Sequence, residues 1–306
     1  MSKSSSGEAL CTMAMVLVGS TVVASKIIGD HVEPFLATAL RHALALPIFL
    51  GLMWARGERP ARITARDAIL LLVQAAAGSV GYTVLLIQGI RFAGPADAGI
   101  VTGTLPAVAA LFAVVFLGET INRRLVLAIL LAVAGLVAVS LAPDVRTTGP
   151  DRLTGIALVL AAVACEAVFI LADKRLSRPI PALTQSTAMS VGGLLLAIVP
   201  ALLARQAFPS AIDAPAFLAI AYYAWVPTVI AFLLWYAGSA RTSGARASLC
   251  TAWLPMSALL FSSIFFHQPI RPAQWAGLAC VLSATILAGL SRSAERGATR
   301  RLDASS

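Results

Sequence analysis

The stretch ADAGIVTGTLPAVAALFAVVFLGE, residues 96–119, returns as ARASLCTAWLPMSALLFSSIFFHQ, residues 245–268. Extended outward, the match runs without a gap from Gly89–Leu141 onto Gly238–Leu290 at a constant offset of 149, with 12 of 53 positions identical. The identities include Ala96/Ala245, Ala98/Ala247, Thr102/Thr251, Leu105-Pro106/Leu254-Pro255, Leu111-Phe112/Leu260-Phe261 and Ile121/Ile270. Shared apolar composition does not produce so regular a set, so the chain contains an internal repeat. Earlier helices align more loosely. An offset of 148 pairs Gly7 with Gly155 and Lys26 with Lys174, and one of 147 pairs Pro34 with Pro181, so that the first helix matches the sixth.

Around this repeat the sequence is apolar throughout: 59% of the 306 residues are hydrophobic and 12% charged, with a mean hydropathy of +0.87. Apolar runs recur with no polar stretch long enough to surround a water-soluble core, which reads as one membrane domain. Ten spans are expected: Leu10–Gly29, Pro34–Trp54, Asp67–Ile90, Ala96–Leu117, Leu125–Ala142, Leu153–Ala172, Ala182–Leu203, Pro215–Gly238, Ala245–Phe266 and Ala273–Leu290. Most have about twenty residues, enough to cross roughly 30 Å of hydrocarbon. Turn formers such as Gly94-Pro95, Gly149-Pro150 and Ser177-Arg178-Pro179 join neighbours closely and favour antiparallel packing. The expected fold is therefore an all-α integral membrane protein of ten transmembrane helices in two five-helix repeats, residues 10–142 and 153–290. A tail over 1–9, an outward linker over 143–152 and a basic tail over 291–306 complete the chain. Because five is odd, the second repeat starts on the opposite side of the membrane, and the halves are inverted.

Charge fixes the orientation. With the N-terminus cytoplasmic, 16 of 23 Lys and Arg fall inside: Lys3, Arg56, Arg59, Arg62, Arg66, Arg123, Arg124, Lys174, Arg175, Arg178, Arg241, Arg246, Arg292, Arg296, Arg300 and Arg301. Arg91, Arg146, Arg152, Arg205 and Arg271 fall outside, and Lys26 and Arg41 lie within or near the hydrophobic layer. This asymmetry places both termini in the cytoplasm and makes nucleic-acid binding an unnecessary account of the net charge of +9. The run Leu10–Ile28 is read as a retained first helix rather than a cleaved leader, because the sixth helix is its counterpart. Cys11, Cys165, Cys250 and Cys280 all lie in apolar runs with no metal-ligand spacing. No nucleotide loop, zinc motif or nucleophile elbow is present, so no cofactor, ATP-driven step or hydrolytic chemistry is indicated.

Ala96–Glu119 is similar to the pattern of the EamA-type exporters of the drug/metabolite transporter superfamily: small residues, a central proline, an apolar run and a terminal Glu. The ninth helix repeats the pattern with Pro255, and Arg41 and Lys26 also fit it. The resemblance covers Leu10 to Leu290. It departs at Val18-Gly19-Ser20, where many members have Trp-Gly, and at Gln268, where a second Glu is usual. It implies a central cavity and export of amino acids or related metabolites across the bacterial inner membrane. The superfamily also includes carriers of drugs, sugars and nucleotide sugars.

Several residues stand out as carriers of chemistry. Glu166 lies about six residues, roughly 9 Å, from the inner end of its span, too deep for a carboxylate to reach water cheaply. It could exchange a proton, hold the amino group of a substrate, or be hydrogen-bonded to a neighbouring helix without a transport role. Arg41 could receive a substrate carboxylate in its guanidinium fork, or reach upward to the outer surface. Lys26 snorkels, or pairs with Asp30 or Glu33 as an outer gate. Pro106 and Pro255 each free a carbonyl, of Thr102 and Thr251. Gly78-Ser79 aligns with Pro227-Thr228 as a second pair of helix breakers where bending could accompany gating. Tyr222 and Trp225 share a helix face and Trp253 lies beside Pro255, so they line an aromatic wall or simply pack, whereas Trp235 and Tyr236 fit an interfacial belt. Gln74, Tyr82 and Gln88 are further cavity candidates. Glu119 and Asp97 have ordinary accounts at helix ends.

The reading is a secondary transporter of a small organic solute, working by alternating access with possible proton coupling through Glu166. A non-transporting receptor or assembly subunit is the alternative of another class.

Overall fold

The computed structural model describes residues 3–58, 63–118, 123–141, 150–177, 180–204, 212–242 and 250–303, and the side chains among them up to residue 287 except those of 3–5, 117, 139–141, 150 and 174. Glu119, most of the linker over 143–152 and the opening of the ninth expected span lie outside these. The described residues are helical, with no strand. In order they form α1 (Lys3–Gly19), α2 (Thr21–His31), α3 (Pro34–Ala55), α4 (Ala65–Gln74), α5 (Tyr82–Ala93), α6 (Pro95–Thr102), α7 (Leu105–Leu117), α8 (Arg123–Leu141), α9 (Pro150–Lys174), α10 (Ala182–Leu203), α11 (Ala214–Tyr223), α12 (Ala231–Ser239), α13 (Trp253–Phe266) and α14 (Pro272–Asp303).

Six continuous helical stretches among them are long and apolar enough to cross a membrane: Ser6–His31, Pro34–Ala55, Ala65–Ala93, Asp151–Asp173, Ala182–Leu203 and Ala214–Ser239. The pair α6 and α7, bent by 41°, makes a seventh, while Trp253–Phe266 and Pro272–Leu287 are apolar but shorter. The chain is thus a multi-pass membrane protein.

The fourth expected span is two helices rather than one. Pro106 has no N–H to give the Thr102 carbonyl, and the chain closes the gap with tight bonds from Gly103 N to Ile100 O (3.0 Å) and Thr104 N to Val101 O (3.0 Å). A comparable turn at Thr251-Ala252 precedes α13, with Leu254 N bonded to Thr251 O at 3.1 Å.

Two π-helical segments interrupt the third and eighth expected spans, at Ala75–Gly81 and Ala224–Ile230. Their bounds differ by 149 at both ends, the offset of the sequence repeat. In the second, Pro227 cannot donate to the Tyr223 carbonyl, and Thr228 Oγ1 does so instead at 2.9 Å. Gly78-Ser79 occupies the equivalent place in the first.

Helix pairing follows the same offset. α3 lies on α10, α6 on α13 and α8 on α14, while α5 lies on α9 and α12 on α1. The last two pairs exchange when one half of the chain is substituted for the other. Each crosses through two glycines. A Cβ on Gly155 would lie 2.4 Å from Ala93 N and 2.7 Å from Gly89 O, and one on Gly238 would lie 2.8 Å from Gly7 O. The absent side chains let the backbones meet, as small residues do where helices associate in lipid.

Buried polar groups fasten the helix ends. Asp97, 1% exposed at the start of α6, receives Arg152 Nη2 at 2.6 Å, Arg271 Nη2 at 3.1 Å and Gln274 Nε2 at 2.8 Å. Its carboxylate thereby joins α6, α9 and α14, a larger task than complementing the helix dipole. At the opposite ends Asp67 accepts the Ser177 backbone N–H at 3.0 Å and the Ser177 hydroxyl. Lys26 pairs with Asp30 at 2.8 Å on its own helix, and Glu33 caps Leu36 N of α3.

Candidate functional site

A cavity lined by residues of both halves opens between them. At offset 149 its lining contains the pairs Gly78/Pro227, Tyr82/Ala231, Thr102/Thr251 and Leu105/Leu254. At offset 148, the one that relates the first helix to the sixth, it contains Met15/Val163, Val18/Glu166 and Thr21/Phe169. The walls are therefore matched in position, and the two charges are not. Glu166 stands opposite a valine, and neither offset pairs Arg41 with another lining residue.

Arg41 projects from α3 and is 5% exposed. Its Nη2 donates to the Ser79 carbonyl in the first π segment at 2.8 Å and to His42 Nε2 at 2.9 Å. A guanidinium only donates, so His42 Nε2 is the acceptor and the ring proton sits on Nδ1, facing Ser190 Oγ at 3.4 Å. The guanidinium carbon lies 4.6 Å from the Tyr223 ring centroid, a cation–π arrangement. Its Nε, buried, has no hydrogen-bond partner. Glu166 on α9 makes no hydrogen bond or ion pair with any described residue, although it feels the field of Arg41 across the cavity. A donor and an acceptor of opposite charge thus face one apolar chamber without meeting.

The pattern of the EamA-like transporter family matches residues 5–141 and again residues 153–290. The chain belongs to this family. Its relatives include an uncharacterized transporter of Bacillus subtilis, YetK, 33% identical over 88% of this chain and 82% of that protein. A probable terminal-alkyne amino-acid exporter of Streptantibioticus cattleyicolor is 28% identical over 86% of this chain and 84% of its own. A crystal structure 23% identical to the chain shares the fold with a TM-score of 0.65, covering 94% of this chain and 97% of its own.

In this EamA-like transporter the cavity brings together Arg41, Glu166, Tyr82, Gly78 and Pro227. Pro106 and Pro255 lie just outside it, beside Thr102, Leu105, Thr251 and Leu254, which line it. Gln74 lies buried between α4 and α10, where its Oε1 accepts from Gln185 at 3.2 Å. Tyr222, Trp225 and Trp253 lie outside the lining and are 39%, 48% and 46% exposed. Tyr222 bonds Ser20 at the break between α1 and α2, at 2.7 Å. The aromatic wall is made by Tyr223, Phe232, Trp235 and Tyr236. The sequence gives no sign that Tyr223 lines the cavity, and it marks Thr228 only as part of the Pro227-Thr228 breaker. Thr102 and Thr251 were legible as an identical pair.

Proposed function

We propose that the protein is a secondary transporter of ten membrane-crossing helices in two inverted five-helix halves, residues 10–142 and 153–290. It exports an amino acid or similar small metabolite across the bacterial inner membrane, with both termini in the cytoplasm. The double family match, the π segments at one offset and the exchanged helix crossings support the repeat. The excess of Lys and Arg in alternate loops supports the orientation.

One observation carries the solute class: Arg41 and Glu166 share a chamber and form no salt bridge. Isolated charges in an apolar site are costly, and a ligand with both a carboxylate and an ammonium group relieves both at once. The carboxylate takes the guanidinium of Arg41, while the ammonium takes Glu166. Mostly apolar walls accept the remainder of the solute. The relative named as a probable amino-acid exporter fits this class.

In the empty carrier a proton on Glu166 neutralises the carboxylate that the ammonium otherwise neutralises. Proton and solute then compete for one group, and that competition couples inward proton movement to outward solute movement. Matched walls in the two halves provide the symmetry for a cavity that faces one side and then the other.

The test is flux of labelled neutral amino acids in proteoliposomes, with and without an imposed pH gradient, for wild type and Glu166→Gln. Saturable flux accelerated by the gradient and lost in the variant supports the reading. Equal rates with and without the gradient remove the coupling, and flux of none of the amino acids removes the solute class.

A further inference from the structure

Tyr236 of α12 lines the central cavity and also a second hollow at the loop end of the bundle. The second hollow lies between the end of α9, the start of α10 and the end of α12. Asp173, Gln185 and Arg241 give it polar walls. Gln185 Nε2 donates to Asp173 Oδ1 and to Gln74 Oε1. Tyr236 is 9% exposed and packs edge-on to Phe232, with Ala75, Phe169 and Met189 around it. Its hydroxyl has no hydrogen-bond partner.

The central cavity is lopsided toward this hollow. Phe232, Trp235 and Tyr236 line it, whereas their counterparts at offset 149, Thr83, Leu86 and Ile87, are buried in helix packing. Asp97, which ties the start of α6 to α9 and α14, lies instead on a separate hollow with Lys26, Arg271 and Gln274. Tyr236 is the lining residue that the central cavity and this hollow share. Both Asp173 and Glu166 lie within electrostatic range of the tyrosine hydroxyl, one in each chamber.

We propose that the second hollow is a loading site for amine-bearing solutes, primary amines or amino acids, in which Asp173 and the Tyr236 hydroxyl hold the ammonium group. Arg241 offers a partner for a carboxylate on the same solute. Tyr236 is the partition through which the ammonium passes from Asp173 to Glu166, with its hydroxyl as acceptor on the way. The solute class rests on the transport reading above; the partition does not.

The experiment uses purified full-length protein with its four cysteines replaced by alanine, carrying Ser239→Cys in the hollow or Ala231→Cys in the cavity. Rates of modification by a methanethiosulfonate reagent are measured with isobutylamine or L-leucine as probe. A ligand at twice its Kd leaves a third of the sites free, so protection of Ser239→Cys of about threefold is expected. Asp173→Asn is expected to abolish protection and Glu166→Gln to leave it intact, which separates this site from the central one. Tyr236→Ala is expected to raise the rate at Ala231→Cys by about tenfold, equivalent to about 1.4 kcal/mol of barrier, while Tyr236→Phe keeps the partition and leaves it near the starting rate. Protection that survives Asp173→Asn, or is given by neither probe, overturns the loading site. An unchanged rate in Tyr236→Ala overturns the partition.

Discussion

Replacing Gly155 by alanine tests the helix crossing on which the cavity is built. The added methyl meets Ala93 N at 2.4 Å, Gly89 O at 2.7 Å and Phe92 Cβ at 2.8 Å. Ordinary carbon contacts begin about 1 Å farther out, and two of these three atoms are main chain that no rotamer change can move away. α9 must therefore lift from α5, and overpacking of this kind costs about 1–3 kcal/mol. Gly51 is the control: it also lies within a helix, nothing stands within 4 Å of its would-be Cβ, and alanine there is favoured by about 0.5–1 kcal/mol. Gly7 is intermediate, with its nearest neighbour at 3.0 Å. Thermal unfolding in detergent, followed by exposure of Cys11 and Cys165 to a thiol-reactive dye, should rank the variants Gly51→Ala, Gly7→Ala, Gly155→Ala in falling stability. A 2 kcal/mol loss corresponds to a shift of about 4–8 °C by soluble-protein scaling. If Gly155→Ala melts at or above the parent, backbone contact does not set this crossing and the reasoning fails.

Other perturbations reach the site itself. Arg41→Lys removes the guanidinium fork and its hold on the Ser79 carbonyl, and flux in proteoliposomes should fall by at least about tenfold; parental flux would mean that Arg41 does not receive solute. His42→Ala frees Arg41 of one anchor and should raise KM for flux more than it lowers the maximal rate, whereas His42→Gln, which keeps an acceptor, should recover part of the loss. Asp97→Asn takes the shared carboxylate from two arginines in a buried cluster; a cost of about 3–5 kcal/mol is expected, read as early unfolding in the same dye assay, and a parental melting curve would refute it.

Much of this architecture is legible in the chain because lipid demands apolar runs of one length and because duplicated segments keep their breakers in register. Glu166 and Arg41 stood out for the same reason, being charges where hydrocarbon excludes charge. Side-chain facing was not legible. A helix bordered by lipid on one side and protein on the other is apolar all round, so periodicity does not say whether Tyr222 or Tyr223 points inward. Tyr222 and Trp225 do share a face, but it is the neighbouring face that meets the cavity. The Asp97 cluster was hidden because its partners lie 55, 174 and 177 positions away, beyond any local pattern. The split of the fourth span needed the backbone bonds around Gly103 and Thr104, which Pro106 hints at without fixing.

The two π segments bear on how such a carrier can change over generations. A helix that returns from i−5 to i−4 bonding skips a carbonyl, leaving a main-chain oxygen short of a partner, and Arg41 donates to a main-chain oxygen of the first segment, at Ser79. Acceptors of this kind belong to no side chain. Alanine scanning will not register them, and point mutation cannot delete them while the winding persists. The apolar walls are then free to drift toward new solutes while part of the polar lining stays where the backbone put it; amide-to-ester replacement, not mutagenesis, is the chemistry that would make that lining visible.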